Sequence, residues 1–411
     1  MSRAQISALI SLLLFGALSR FVNLGRPGEL VFDEVYYVDG ARDFLAHGVE
    51  VDGNKAEFIV HPPIGKWAIA LGIRIFGDNP FGWRAAAALV GVISILLVFL
   101  IAQRLFNSFF VSFVTATLMA LDGLHLVMSR TALLDIFLSF FILLTFYLVI
   151  REKFWWAGIT MGLALATKWS ALYVLAALGL YLLIKQRKYL ITIIQFGFIP
   201  ISVYLLSWVG WFRSDKGWDR ESGSNAFSSL FNYHREMLNF HTGLTTDHSY
   251  QASAWNWLVL GRPTSFYYAT PKNCGADSCS QEVLALGTPI LWWFGLIAIF
   301  ISIGYFIYRR EKNIGLILIF LLASYLPWLA FPERTTFYFY AIAFQPFMVL
   351  SIGYVLSKAL EDETQRALRQ RYAVAFVAAI ALCFAYFFPL FVAGVMTYQD
   401  WYARMWFSNW I

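Results

Sequence analysis

Charge is scarce in this 411-residue chain: Asp, Glu, Lys and Arg make up 14% of it, against 59% apolar residues. Soluble domains carry about a quarter charged residues, so a globule surrounded by water is excluded. Cysteine is scarcer still, with three in all, and histidine numbers six. His234, His241 and His248, in "NYHREMLNFHTGLTTDH", fit no standard zinc spacing and read as surface histidines. The net charge is +6, yet no Lys/Arg run has the length of a nucleic-acid patch, so nucleic acid is not an expected partner. There is no internal repeat, low-complexity tract or separate soluble domain.

What is present is a series of apolar runs, near residues 4–24, 82–103, 109–123, 133–150, 154–167, 169–184, 189–210, 288–308, 314–331, 336–357 and 373–397. Several reach the roughly 20 residues that cross a bilayer as a helix. Lipid offers no partner for backbone groups, so such a chain is expected to be an all-α polytopic membrane protein, with residues 1–411 forming one membrane-embedded domain. Aromatic residues make up 18%, and many Trp and Tyr flank the runs, where interface belts lie. The opening "MSRAQISALISLLLFGALSRF" resembles a signal peptide in charge and apolar length. No small-residue cleavage site follows, and it reads as a retained first helix.

The links "RLFNS", "REK", "KQRKY", "RREKN" and "SKALEDETQRALRQR" are rich in Lys and Arg and fall on alternate sides of successive runs. The positive-inside rule makes them cytoplasmic, which puts the N-terminus inside and the C-terminus outside after about eleven spans. Residues 25–80 and 211–287 then face outward. Within the first, "DGARDFLAHG" and "PIGKWAIALGIRIFG" read as amphipathic helices along the surface. Within the second, Cys274 and Cys279 in "NCGADSCSQE" can close a small disulfide loop, which an outward face would permit; a two-ligand zinc site is the alternative. Cys383 lies in an apolar run and reads as an inert core residue.

Several charges fall at membrane depth. Lys168 interrupts "WWAGITMGLALATKWSALYVLAALGLYLLI", a stretch of about 45 Å if helical, too long for one upright span and short for two. A hairpin there leaves Lys168 recessed below the outer surface. "LDGLHLVMSRTALLDIFLSFF" likewise holds Asp122, His125, Arg130 and Asp135 between two short spans, with a pair between Arg130 and Asp135 as the bland reading. Arg84 opens the second span and Arg334 sits in the link "FPERTTFY". Buried ionisable groups are costly unless paired or facing water. Lys168, Arg84, Arg334 and Arg130 are therefore candidates to line one outward cavity and meet a lipid phosphate, with Asp33 and Glu34 of "VFDEVYYVDGARDFLAHG" as carboxylates at its mouth. The alternatives are snorkelling anchors for Arg84 and Arg334, and loop charges or a helix cap for Asp33 and Glu34. His61, in "VHPPIGKW", is a candidate for acceptor contact or structural support, as is Asp135.

The ordered set "FDEVYYVDGA", "HPPIGKW", "SRTALLDIFL", "ATKWSALY", "NYHREMLNFHTGL", "WNWLVLGRPTSFYY" and "CSQEVLALGTPILWW" resembles the bacterial, actinomycete-type protein O-mannosyltransferases, relatives of the dolichyl-phosphate-mannose–protein mannosyltransferases. The resemblance covers essentially the whole chain. It implies a GT-C type membrane glycosyltransferase that moves mannose from a polyprenyl monophosphate to Ser or Thr of exported polypeptides, with inversion. It implies Asp33 as the catalytic base, Glu34 in a supporting role, no metal and no cofactor. A translocation channel is a candidate partner. Eukaryotic relatives insert a soluble domain in the large outward loop, and residues 211–287 are too short for one. The rival readings are a transferase acting on a lipid or glycan, a metal-dependent oligosaccharide transferase with Asp33 and Glu34 as ligands, and a transporter.

Overall fold

A helix stands in each of the apolar runs of the computed structural model, which describes residues 1–53, 55–272 and 274–411. α1 (Arg3–Phe21) is followed by the surface pair α2 (Glu34–His47) and α3 (Ile64–Phe76), joined through a ribbon of β1 (Val51–Asp52) and β2 (Lys55–Ala56). Next come α4 (Pro80–Phe106), α5 (Phe109–Ala120), the short α6 (Gly123–Met128), α7 (Leu134–Ile150), α8 (Phe154–Leu165) and α9 (Ala171–Gln186). α10 (Tyr189–Ile193) and α11 (Ile199–Ser207) run end to end through a π-helical turn at Ile194–Phe198. The second loop carries α12 (Val209–Arg213), α13 (Ala226–Gly243), α14 (Ala254–Trp257), β3 (Thr264–Ala269) and β4 (Cys279–Ala285). α15 (Pro289–Arg309), α16 (Lys312–Tyr325), α17 (Gln345–Ala359) and α18 (Arg366–Phe391) complete the bundle, and β5 (Val395–Thr397) and α19 (Tyr398–Tyr402) form the tail.

Length and composition qualify six of these helical stretches, at residues 3–21, 80–106, 189–207, 289–309, 312–330 and 363–391, to cross a membrane. The other apolar helices are shorter. α5 and α8 have 12 residues each, α17 has 15, α9 has 16 and α7 has 17. At 1.5 Å per residue α8 rises about 18 Å, little more than half of a hydrocarbon core of about 30 Å.

Local chemistry sets the boundaries. Asn79 caps α4 by accepting from the Phe81 and Gly82 amides, each at 3.0 Å, and Pro80 takes the first helical position. α4 stops where Asn107 turns left-handed, at φ 48°. α3 and α4 cross closely because glycine lines the contact: a Cβ on Gly82 would stand 2.0 Å from the Gly77 carbonyl oxygen, and one on Gly72 would stand 2.4 Å from that of Gly82.

The sheet was not anticipated by the all-α expectation. β4 pairs antiparallel with β3, with a register shift between Ser265 and Tyr267, and β5 joins its other edge. The final apolar run therefore ends at Phe391, and residues 395–397 are strand. Phe32 stacks on Phe266 at 5.0 Å, and Arg262 donates to the Ile411 carbonyl at 2.6 Å. The first loop, the second loop and the C-terminus thus meet at one end of the bundle.

Candidate active site

The first loop enters α2 through a strained turn. Phe32 has φ 48°, a left-handed conformation unusual outside glycine. Its ring is held by Phe266, stacked at 5.0 Å, and by Phe337 and Phe339, edge-on at 5.5 and 5.6 Å. That cage fixes the next residue, Asp33, which occupies the N-cap position of α2 but makes no side-chain cap bond. Its carboxylate is free to border a cavity of about 270 Å³ shared with Tyr37, His61, Arg334 and Tyr340. Burial raises the Asp33 pKa from 3.8 to about 6; nearby Lys168 opposes the shift, Asp135 adds to it, and the Tyr37 hydroxyl opposes it.

Glu34, the next residue, is elsewhere engaged. Its side chain is fully buried and meets Arg84 in a two-pronged pair, Nε to Oε1 at 2.8 Å and Nη2 to Oε2 at 2.7 Å. Oε1 also accepts from the Ala132 amide at 2.8 Å and Oε2 from the Val31 amide at 3.0 Å. The remaining Arg84 donors go to the carbonyls of Pro27, Glu29 and Leu24 at 2.7, 2.9 and 3.3 Å. The geometry corrects two expectations. Arg84 has no donor left for a phosphate, and Glu34 shapes the turn that presents Asp33 without reaching the cavity.

Arg130 is corrected in the same way. It does not pair with Asp135; it closes the end of α1, donating to the carbonyls of Ser19, Arg20, Val22 and Asn23 at 2.9–3.0 Å. Asp135, in the first turn of α7, is instead the partner of Lys168, whose Nζ lies 2.8 and 3.0 Å from its two oxygens and 4.1 Å from the centre of the Tyr340 ring. The hairpin between α8 and α9 carries Lys168, which is 6% exposed, as its recessed position required.

A second cavity, of about 200 Å³, opens on the other side of the same wall. Lys168, Trp169, Leu172, Tyr173, Trp328 and Phe331 border it, and His61, His241 and Arg334 border both cavities. Arg334 donates from Nε to the His241 carbonyl at 2.8 Å and lies over Trp328, while its Nη1 has no partner among the described residues. The rings of His61 and His241 lie 5.2 Å apart, tilted by 31°. His241 donates from Nε2 to the Val60 carbonyl at 2.7 Å, and the Nδ1 of His61 has no partner among the described residues. Burial, reinforced by the surrounding cations, pushes His61 well below its usual range and His241 to about 4, so both are neutral near pH 7.

The reading of surface histidines is overturned for His234 as well. Its Nδ1 faces the Leu230 carbonyl at 2.7 Å and so carries the hydrogen, which leaves Nε2 to accept from the Tyr204 hydroxyl at 2.7 Å. Tyr204 in turn accepts from the Trp169 indole at 2.9 Å. This chain ties α13 to α11 and to the residue beside Lys168. His248, by contrast, is exposed, with Phe337 edge-on at 5.0 Å. Sequence reasoning also missed the ion pair of Lys66 with Glu50, both 3% exposed, although Lys66 lies within the quoted "HPPIGKW". Cys274 and Cys279 are disulfide-bonded, and Cys383 is buried and unpaired. Among the described residues no group of three or more His, Cys, Asp or Glu side chains is arranged to hold a metal ion.

Comparison with known proteins follows the same lines. The family described as dolichyl-phosphate-mannose-protein mannosyltransferase matches residues 60–211, and the C-terminal four TMM region of protein-O-mannosyltransferase matches residues 226–410. The polyprenol-phosphate-mannose–protein mannosyltransferase of Mycobacterium tuberculosis is 32% identical over 98% of this chain and 91% of its own length. That of Corynebacterium glutamicum is 29% identical over 96% and 92%. Among solved structures, the S. cerevisiae protein O-mannosyltransferase Pmt1–Pmt2 complex bound to the sugar donor shares the fold, with a TM-score of 0.82 at 15% identity over 100% of this chain and 93% of that one. Apo ArnT from Cupriavidus metallidurans follows with 0.64 at 16% identity, over 95% and 77%. The architecture is that of the GT-C glycosyltransferases. This chain is a membrane glycosyltransferase and belongs to the polyprenol-phosphate-mannose–protein mannosyltransferase family.

Proposed function

We propose that the chain transfers mannose from a polyprenyl monophosphate-mannose to Ser or Thr hydroxyls of exported polypeptides, with inversion, at the outer face of the cytoplasmic membrane. One observation carries this reading: Asp33, whose carboxylate makes no helix-cap bond, borders one cavity, Lys168 borders the next, and Arg334 stands on the wall between them. Asp33 takes the proton of the acceptor hydroxyl as its oxygen attacks the sugar carbon. The bond from that carbon to the phosphate oxygen breaks, and the electron pair leaves with the polyprenyl phosphate. Lys168 and Arg334 meet the charge that builds there. Asp135 orients Lys168, and the cage around Phe32 orients Asp33. The apolar residues Leu172, Tyr173, Trp328 and Phe331 suit the start of a polyprenyl tail running out into lipid.

No metal is needed. The metal-dependent rival requires Asp33 and Glu34 to share a cation, and both oxygens of Glu34 are already occupied by Arg84 and two amides. In this reading the N-terminus is cytoplasmic, and residues 25–80 and 211–287 form the outward working face. The acceptor enters as an extended segment, so a translocation channel is the proposed neighbour.

The test is incubation of purified protein with polyprenyl-phosphate-mannose and a Ser/Thr-rich peptide, with and without EDTA. An α-mannosyl peptide whose yield is unchanged by EDTA is expected. Transfer to lipid or glycan but never to peptide would overturn the acceptor assignment, and loss of activity in EDTA would overturn the metal-independent one.

A further inference from the structure

The cavity beside Asp33 has a second end that hydroxyl activation does not use. Glu50 stands there, 3% exposed, with one carboxylate oxygen paired to Lys66 and the other, Oε2, buried and without a partner among the described residues. The pair is fixed from behind: a Cβ on Gly40 would lie 2.6 Å from Glu50 Oε1 and 3.1 Å from Lys66 Cδ. Glu57 borders the same cavity and forms no salt bridge among the described residues. The charged groups lining the cavity are three carboxylates (Asp33, Glu50 and Glu57) against two cations (Lys66 and Arg334). Arg334 is on the wall shared with the other cavity, and the two histidines of that wall are neutral near pH 7.

Glu50 and Glu57 therefore share one nearby cation, Lys66, between two carboxylates. Burial pushes the Glu50 carboxyl up to about 7 despite Lys66, and Glu57 and Asp43 add to the rise. Burial and the nearby Asp43 push Glu57 up as well. Tyr36, Phe58 and Phe240 border the same cavity. Carboxylates and aromatic side chains on one cavity match a long cationic side chain, whose stem packs on the rings while its head meets the acids.

We infer that Glu57 and Glu50 form an acceptor subsite that takes a Lys or Arg side chain of the polypeptide, close in sequence to the Ser or Thr held at Asp33. This rests on the reading of Asp33 as the acceptor base. The site would set which hydroxyls of an exported chain are glycosylated, a selection made at the membrane-proximal loops.

The test uses the full-length enzyme in detergent with peptides carrying a single Thr and one variable residue, Lys, norleucine or Glu, placed in turn at each nearby position. At one or more positions the Lys peptide should show a KM about threefold to tenfold below that of the norleucine peptide, with the Glu peptide weakest and kcat little changed. Glu57→Gln should erase the ratio between the Lys and norleucine peptides, Glu57→Asp should keep part of it, and Glu57→Lys should turn the preference toward Glu. The ratio within one variant is independent of how much of that variant is folded. Equal KM values for all three peptides at every position, or a Lys preference that survives Glu57→Gln, would overturn the subsite and leave the mannosyltransferase reading intact. Absence of transfer to every peptide would overturn both.

Discussion

At the scale of single residues, Asp33 and Lys168 make different demands on the fold. A raised carboxyl pKa means that the folded state holds the proton more tightly than the unfolded chain does. The stability contributed by Asp33 therefore declines as pH rises from 3.8 through about 6, and the same rise creates the base. Asp33→Asn should lower turnover about 100-fold. It should also raise the thermal midpoint in detergent near neutral pH, with the gain vanishing in acid. In the parent enzyme kcat/KM should fall as pH drops through about 6. A pH limb near 4 would return Asp33 to ordinary carboxylate behaviour. Lys168 is a pair member first. Lys168→Met strands Asp135, which is 2% exposed, and should cost about 3–5 kcal/mol of stability. Lys168→Met with Asp135→Asn removes both charges and should recover most of the folding while still binding donor weakly. Donor titration of that double variant decides the matter, since parental affinity would leave Lys168 a structural residue only. The recessed lysine was legible from the short runs around it, and Asp33 from the motif. The partners were not. Arg130 and Asp135 lie five residues apart yet face different neighbours, α1 and Lys168, and no local spacing reports contacts made 110 and 33 residues away.

At the scale of elements, close helix contact rests on a few absent side chains. Gly82→Ala places a methyl carbon 2.0 Å from the Gly77 carbonyl oxygen, so backbone must move. It should cost about 1–3 kcal/mol or more, read as a drop in thermal midpoint and in yield from the membrane. A Gly82→Ala protein with parental stability would mean that the α3–α4 crossing can spread freely. The helices themselves were legible because apolar length is a property of the sequence alone. The sheet was not, since β5 reaches β4 from more than a hundred residues further on and is only three residues long. The π-helical turn at Ile194–Phe198 left no mark in hydropathy either. Cysteine spacing was informative as far as it went, and the disulfide offers a handle on sidedness. Cys274 and Cys279 should resist an impermeant maleimide in intact, unreduced cells and react after reduction and denaturation. Labelling before reduction would contradict an oxidising, outward location.

At the scale of the whole molecule, the first loop is held to the bundle by two guanidinium groups that, apart from the Arg84–Glu34 pair, address main chain. Arg84 and Arg130 donate to the carbonyl oxygens of Ser19, Arg20, Val22, Asn23, Leu24, Pro27 and Glu29. Every residue type offers the same carbonyl. Away from the buried Leu24 and Pro27 and the left-handed Asn23, the stretch is therefore indifferent to spelling, and throughout it is sensitive to count. Alanine substitutions at the exposed or half-buried Val22, Gly25 and Glu29 should leave yield and activity close to parental, whereas inserting or deleting one residue between Val22 and Glu29 should abolish accumulation of folded enzyme. Such an indel moves the carbonyls past two arginines that are fully or nearly buried and leaves their donors unpaired. Expression and mannosyl transfer across the two sets would check this, and an indel as well tolerated as the substitutions would refute it. Among descendants of one gene, selection acting on such a segment would let its letters drift while its length stayed put.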